Sequence, residues 1–345
     1  MGFELTNSFL EEFDFMFHPF LKQQGSKLMQ AVTQMPVTGD VKYIRQQDVG
    51  DAHWITDSGS TTKYTATKFD RRRLKPRAFA CPIMLDEFDM IKQGTPDPSL
   101  LAAQAANSCG KLIDQIIIQG LGGTSYTESE GKKELSGAKN ITANPGSASK
   151  LIAAYDKTQT ISWNDCTFGG NDSQNSMYVK AGLSASKLNK AVQKLLSKHN
   201  YGPIFCVGSN YAMATARADY RVASSDFNDV HSFMQGVNLP YCGVSAFIPC
   251  EEVDSGKTCV KVADGSYEAN TENKADVEYA YVFAMNQIVL GSSMPISLKN
   301  GTNAERYLND VLMYRGAYDC TRLFEESVVR IEILKTPSEA AAFVG

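Results

Sequence analysis

The sequence holds no run of about 18 apolar residues, the length a helix needs to cross a bilayer, so no membrane-spanning helix is expected. Its opening, MGFELTNSFLEEFDF, is acidic and lacks the basic start and small-residue cleavage site of a secretory leader, which predicts a cytoplasmic product. Basic charge is not in surplus: 34 Lys and Arg against 38 Asp and Glu leave a formal net charge of -4. That balance argues against a dedicated nucleic-acid binder, whose phosphate affinity rests on many spare cations on one face.

Catalytic signatures are missing as well. The four histidines, His18, His53, His199 and His231, are scattered, and none has a second ligand at metal spacing. The eight cysteines (Cys81, Cys109, Cys166, Cys206, Cys242, Cys250, Cys259, Cys320) form no Cys-x-x-Cys, so buried reduced thiols are expected rather than a zinc knuckle. GLGGTS at 120–125 lacks the third spaced glycine of a dinucleotide fingerprint, and EGKKE has no Lys-Ser or Lys-Thr pair to complete a phosphate loop. CVGSN is no nucleophile elbow, because Tyr211 stands in the last place. No catalytic residue, cofactor or metal is assigned; a Cys206–His231 nucleophile is conceivable in space but has no support in the spacing.

What is present is a core-forming chain of 345 residues, 43% hydrophobic, with one conspicuous charge cluster. Residues 63–77 carry Lys63, Lys68, Arg71, Arg72, Arg73, Lys75 and Arg77 against a single acid, Asp70. This cluster ends a polar stretch, 39–82, that reads as two long strands turning near TDSGS at 56–60. Arms of about 17 residues would project on the order of 55 Å, and a two-stranded ribbon that long is marginal alone, so it should lie against a neighbour. The cluster admits three readings: a solvated face, a phosphate patch, or a docking surface for carboxylates of another subunit. Alternation places guanidiniums on both sides of the ribbon, where they could meet Asp86, Glu87 or Asp89 of a neighbouring copy.

Upstream, Phe9, Phe13, Phe17, Leu21 and Leu28 recur at helical spacing behind a Ser8 to Glu11 capping box, interrupted at Pro19. The aromatic face of Phe9, Phe13 and Phe17 must pack on something distant, its own core or another subunit. Downstream, Asp97 and Pro98 open a helix over 97–120 whose apolar stripe runs through Leu101, Ala105, Cys109, Leu112, Ile113, Ile116 and Ile117 and stops at the glycines. Residues 121–183 read as loops and short elements. From Ser184 the pattern is α/β: a capped amphipathic helix, the strand IFCVGS, and a helix opened by Ser209. Strands follow at 244–248, 258–262, 279–285 and IVLGSS, and the chain closes with two half-buried strands in VLMYRGAYDCTRLFEESVVRIEIL.

The order of these parts, and above all FDRRRLKPRAFACPIMLDEFDMIKQGTPDPSLLAAQAANSCGKLIDQIII and DFNDVHSFMQGVNLPYCGVSAFIPC, resembles the tailed-bacteriophage major capsid proteins of the Hong Kong 97-type fold. The resemblance implies an α+β chain divided into an N-terminal arm (1–40), an extended loop (41–80), a peripheral domain (81–149) with a spine helix (97–120), an A-domain (150–290), and a return to the peripheral domain (291–345). It further implies a self-assembling, non-enzymatic subunit of an icosahedral head shell. Hexamers and pentamers would enclose double-stranded DNA, which lies close by without specific recognition. The virion is the implied destination, after assembly in the host cytoplasm. A separate scaffolding protein and a portal are implied partners, and a decoration protein is a further one. Covalent crosslinking through Lys63 or Lys68 is not assigned, since no matching Asn and acidic catalyst can be named. The rival readings are an encapsulin-type nanocompartment, which neighbouring genes would separate, and an unrelated α/β enzyme, which would elute as a small oligomer.

Overall fold

The computed structural model describes residues 16, 25–48, 68–85, 98–123, 125–129, 141–143, 151–153, 157–162, 182–197, 202–219, 241–253, 260–261, 267–268, 277–303 and 309–334. Strands β1 (Thr33–Pro36), β2 (Lys42–Asp48), β3 (Lys68–Leu74) and β4 (Arg77–Leu85) precede a long helix, α1 (Pro98–Gly122). Short strands β5 (Ser125–Ser129), β6 (Ile141–Ala143), β7 (Leu151–Ala153) and β8 (Thr160–Ile161) lead to α2 (Ala185–Ser197), β9 (Ile204–Gly208), α3 (Asn210–Arg217) and β10 (Ala246–Pro249). After the small pair β11 (Val260–Lys261) and β12 (Tyr267–Glu268) come β13 (Val277–Ala284), β14 (Ile288–Asn303), β15 (Asn309–Arg322) and β16 (Val328–Leu334).

These strands build three larger sheets, ordered β1-β14-β15-β4, β10-β9-β13-β16-β8 and β2-β3-β5-β7-β6. Helix α1 lies between the first two. Ala102, Ala105, Ala106, Cys109, Ile113 and Ile117 recur every three or four residues, and all are buried in one cluster with Leu290, Leu312 and Tyr314 of the first sheet. The same cluster takes Val207, Tyr279, Tyr281 and Phe283 from the second sheet. The intervening residues of β13, Ala280 and Val282, point the other way into a second core with Leu188, Leu195 and Met213 of α2 and α3. Because β13 is buried on both faces, its sequence VEYAYVFA lacks the polar alternation of a surface strand.

The helix start at Pro98 and the Ser209 cap agree with the sequence reading: the Ser209 Oγ accepts the Ala212 N–H at 3.1 Å. The exit of α3 also holds the entry of α2. The Asp219 carboxylate accepts the Ala185 N–H at 2.9 Å, and Thr215 Oγ1 accepts the Leu183 N–H at 3.0 Å, so donors left over at one helix start are satisfied by the other helix.

Three expectations change. Helix α1 stops among the glycines of GLGG as expected, but at Gly122 rather than at 120, so Gly120 lies within its last turn. An added Cβ at Gly120 would meet Cys320, and one at Gly122 would meet the Tyr281 ring and hydroxyl, so glycine lets β15 and β13 close on the last turn. IVLGSS is the start of a 16-residue strand, β14, which pairs with β15 as far as Asn303 and Asn309. Its polar second half hides it from a hydrophobicity reading, and Pro295 is accommodated at a register shift between Met294 and Ser297. The span 121–183 supplies β5, β6 and β7 to the hairpin's sheet, with Arg71 opposite Glu128 and Arg72 opposite Thr127. The β2–β3 hairpin is therefore part of a five-stranded sheet rather than a lone two-stranded ribbon. Residues 49–67, which carry its turn, lie outside the described residues.

Candidate functional site

The charge cluster of the sequence resolves on β3 into two faces. Antiparallel pairing sets Tyr43 opposite Arg73 and Arg45 opposite Arg71, and directly opposed residues share a face. Tyr43 and Arg45 are exposed and Arg71 and Arg73 half-buried, with the Arg71 guanidinium 5.9 Å from the centre of the Tyr43 ring. This outer face is basic, with one aromatic ring.

The opposite face, from Ile44, Arg72 and Leu74, turns toward the body. Leu74 is fully buried with Val37 and Val289, and Gly291 makes the room: a Cβ there would fall on the Leu74 side chain. Arg72, 5% exposed, reaches inward, its Nε donating to the Leu323 carbonyl at 3.0 Å and its Nη2 lying 2.8 Å from Glu325 Oε1. Glu325 Oε2 in turn accepts from Nε of Arg322 at 2.6 Å. Arg322 is fully buried, and its Nη1 donates to the carbonyls of Gly120 at 3.2 Å, Leu121 at 3.4 Å and Gly123 at 2.5 Å.

The charges in this relay largely offset one another, with about half a positive charge left over. Two guanidiniums meet one carboxylate and the C-terminal end of a 25-residue helix, which carries roughly half a negative charge. The last turn of α1 contains no basic residue of its own, so the cation that covers its orphan carbonyls comes from β15. Buried charges hold only when paired and hydrogen-bonded in this way, and removing one partner typically costs about 3–5 kcal/mol.

At mid-length, α1 holds the N-terminal segment. Asp114, 4% exposed, accepts from Ser26 Oγ at 2.6 Å, from the Leu28 N–H at 3.0 Å and from the Lys27 N–H at 3.1 Å. The close approach needs Gly110, where a Cβ would land on the backbone of Gly25 and Ser26. Burial pushes the Asp114 carboxyl above its ordinary 3.8, while the hydrogen bonds from Ser26, Leu28 and Lys27 and the Lys27 charge pull it back.

Of the residues singled out in sequence, the structure places Arg71 and Arg73 on the outer face of the hairpin and Arg72 within the body. Arg72 is thus corrected from a docking group to an internal brace. Lys75, half-exposed, lies 3.4 Å from Asp40, and Arg77 is on β4 opposite Tyr318. Lys68 pairs through its backbone with Asp48 at the far described end of the hairpin. Lys63, the acids Asp86, Glu87 and Asp89, and the arm residues Phe9, Phe13 and Phe17 lie outside the described residues. Sequence reasoning did not single out Arg322, Glu325 or Asp114. Arg322 and Glu325 stand beside apolar strands, and only their separation from the basic run in sequence concealed the pairing.

Thiol chemistry is quiet. Cys206 is fully buried and its thiol is pushed up to about 12 by desolvation, so it is protonated at neutral pH and no nucleophile. Cys109 is likewise raised to about 12, by burial first and then by Cys81 beside it. Among the described residues, no cluster of three or more His, Cys, Asp or Glu side chains could hold a metal, and no helix is long and apolar enough to cross a membrane.

Comparison with known proteins agrees with this geometry. The sequence matches the family described as phage capsid protein over residues 5–334. The fold is similar to the capsid structure of the cyanophage P-SCSP1u, with a TM-score of 0.61, 11% identity, and coverage of 89% of this chain and 87% of that one. It is similar to the mature capsid of bacteriophage PhiM1, with a TM-score of 0.57, 12% identity, and 91% and 88% coverage. The capsid of Ralstonia phage GP4 gives a TM-score of 0.55 at 12% identity, over 89% and 87%. No match is found among curated proteins.

Proposed function

This chain belongs to the phage capsid protein family, and from that premise we propose how its parts serve the shell. It is a major capsid protein of the Hong Kong 97-type α+β fold, a structural subunit of the virion. In our reading α1 is the spine helix and the β2–β3 hairpin the base of an extended loop. The sheet carrying α2 and α3 is the core of the A-domain that meets its copies at the capsomer axis. Hexamers and pentamers of this subunit close into an icosahedral head around double-stranded DNA, assembled in the host cytoplasm with a scaffolding protein and a portal.

The observation that carries the loop's role is the division of charge on β3. Arg72 is held inside the chain, whereas Arg71 and Arg73 with Arg45 and Tyr43 form an arginine-rich outer face, with Glu128 of β5 opposite Arg71, over which no core cluster of the described residues packs. Such a face is complementary to carboxylates, and the acids Asp86, Glu87 and Asp89 of an adjacent subunit are its proposed counterpart. Individually weak contacts suffice because each is repeated around a closed assembly. The N-terminal arm with Phe9, Phe13 and Phe17 is proposed to reach a neighbour in the same way, beyond the Asp114 anchor.

The test is expression of the full chain followed by electron microscopy and size exclusion. Closed particles or capsomers are expected from the wild type, and capsomer-sized or smaller protein from Arg71→Ala combined with Arg73→Ala. Normal particles from that double variant would remove the docking role, and a wild type that elutes only as a lone subunit would count against the assembly reading itself.

A further inference from the structure

We infer that the buried relay Arg72–Glu325–Arg322 is a latch that fixes the direction of the β2–β3 hairpin relative to the C-terminal end of α1, so that these are positioning residues for shell assembly. The inference rests on the reading of the chain as a shell subunit and assigns to these residues a role in it.

Besides the backbone pairing of β3 with the short strand β5, contacts with the body fasten the hairpin at two places on β3. Leu74 sits in the notch left by Gly291, and the adjacent Lys75 N–H donates to Asp319 Oδ2 at 2.9 Å. These two contacts lie side by side, so together they act as a pivot. Arg72, two residues further out, is the second point, with its Nε on the Leu323 carbonyl and its Nη2 on Glu325. A sheet held to the body at one pivot can swing as a unit together with β5, whereas a second contact about 7 Å along the strand sets its direction.

The distances explain why direction matters. The paired stretch from Lys42–Leu74 to Asp48–Lys68 is seven residues long, roughly 24 Å at 3.4 Å per residue, so a swing of about 10° at the base displaces its far end by about 4 Å. A displacement of that size separates any hydrogen bond or ion pair made at the far end. Because the same error would recur at every copy in a closed lattice, hairpin direction is a quantity the subunit must hold.

The relay also ties that direction to α1. Glu325 is shared: one oxygen faces Arg72, the other Arg322, and Arg322 grips the last-turn carbonyls. Moving the hairpin therefore pulls on the group that covers the helix end. The Arg fork suits this position, since one guanidinium engages a carbonyl and a carboxylate at fixed angles and a lysine ammonium does not.

The experiment compares the full-length wild type with Arg72→Met, which keeps the apolar stem but leaves the Arg322–Glu325 pair and the helix end covered. Hydrogen exchange on unassembled subunits reads the latch without a shell. Amides of β2 and β3 are expected to exchange about tenfold faster in the variant, while those of residues 120–123 stay at wild-type rates. Unchanged exchange in the hairpin overturns the latch. Electron microscopy then reads the consequence, which is expected to be a broadened diameter distribution or open shells; particles of wild-type diameter and yield overturn the positioning role. Should Arg72→Met be insoluble, Arg72→Gln decides, because its shorter, uncharged side chain keeps polarity but breaks the ion pair with Glu325. Broadened particles or faster hairpin exchange support the inference, and wild-type behaviour in both overturns it. A wild type that forms no particles speaks against the shell reading, and the exchange result still decides the latch.

Discussion

The packing around α1 and the outer face of the β2–β3 hairpin are built on opposite principles. Around α1, Asp114 is answered within the chain by three donors of residues 26–28 and Arg322 by Glu325 and three carbonyls. On the hairpin's outer face, Arg45, Arg71 and Arg73 stand together with Tyr43, half-buried or exposed, with Glu128 opposite Arg71 and no core cluster of the described residues over them. Side chains of the first kind hold one subunit in shape, and those of the second kind are the ones proposed to meet a second molecule. The two kinds meet on one strand, where Arg72 belongs to the first and its immediate neighbours to the second.

Substitutions ranked by size sharpen this contrast. Ile113→Asp places an unanswered charge against the fully buried stripe of α1 and should remove more than about 4 kcal/mol, enough to prevent folding. Soluble protein with a native circular dichroism spectrum would show that the stripe tolerates charge. Asp114→Ala strands the Leu28 and Lys27 N–H groups and should cost about 3 kcal/mol by chemical denaturation. A loss below about 1 kcal/mol would mean that water takes over as acceptor.

Acidity probes the same anchor with a definite sign. The Asp114 carboxyl is raised in the folded state, so the folded chain binds its proton more tightly than the unfolded chain does. Its contribution is present in full below the ordinary value of 3.8 and is lost as pH rises through the raised native value. The wild type should therefore gain stability relative to Asp114→Asn as pH falls through that interval, measured as a difference in melting temperature; a constant difference would mean burial does not control the group. Arg71→Ala with Arg73→Ala should change subunit stability by no more than about 0.5 kcal/mol while particle yield falls, which separates the outer face from the core most directly.

Much of this was readable before any coordinates. Pro98 and the apolar spacing through Ile113 and Ile117 located α1, Ser209 located α3, and the polar run ending in RRR located the hairpin, because each depends on neighbours within a turn or a strand pair. What escaped were pairings between distant segments. The second half of β14 is polar apart from Ile296 and Leu298, and what makes it a strand is its backbone pairing with β15. The strands β5 to β7 answer to the short elements expected in a segment rich in Gly, Ser, Asn and Thr, but composition alone does not say that they join the hairpin's sheet.

By itself, the amino-acid order determined the family-like sequence of parts, the burial stripe of α1 and the concentration of basic side chains on one hairpin, since period, caps and charge are local properties. Tertiary structure decided which arginine of the triplet faces in, that Arg322 covers the end of α1, and that Asp114 holds residues 26–28. Those outcomes depend on groups 86 to 251 positions apart meeting in a medium where an unanswered charge cannot remain, and no local pattern encodes such a meeting.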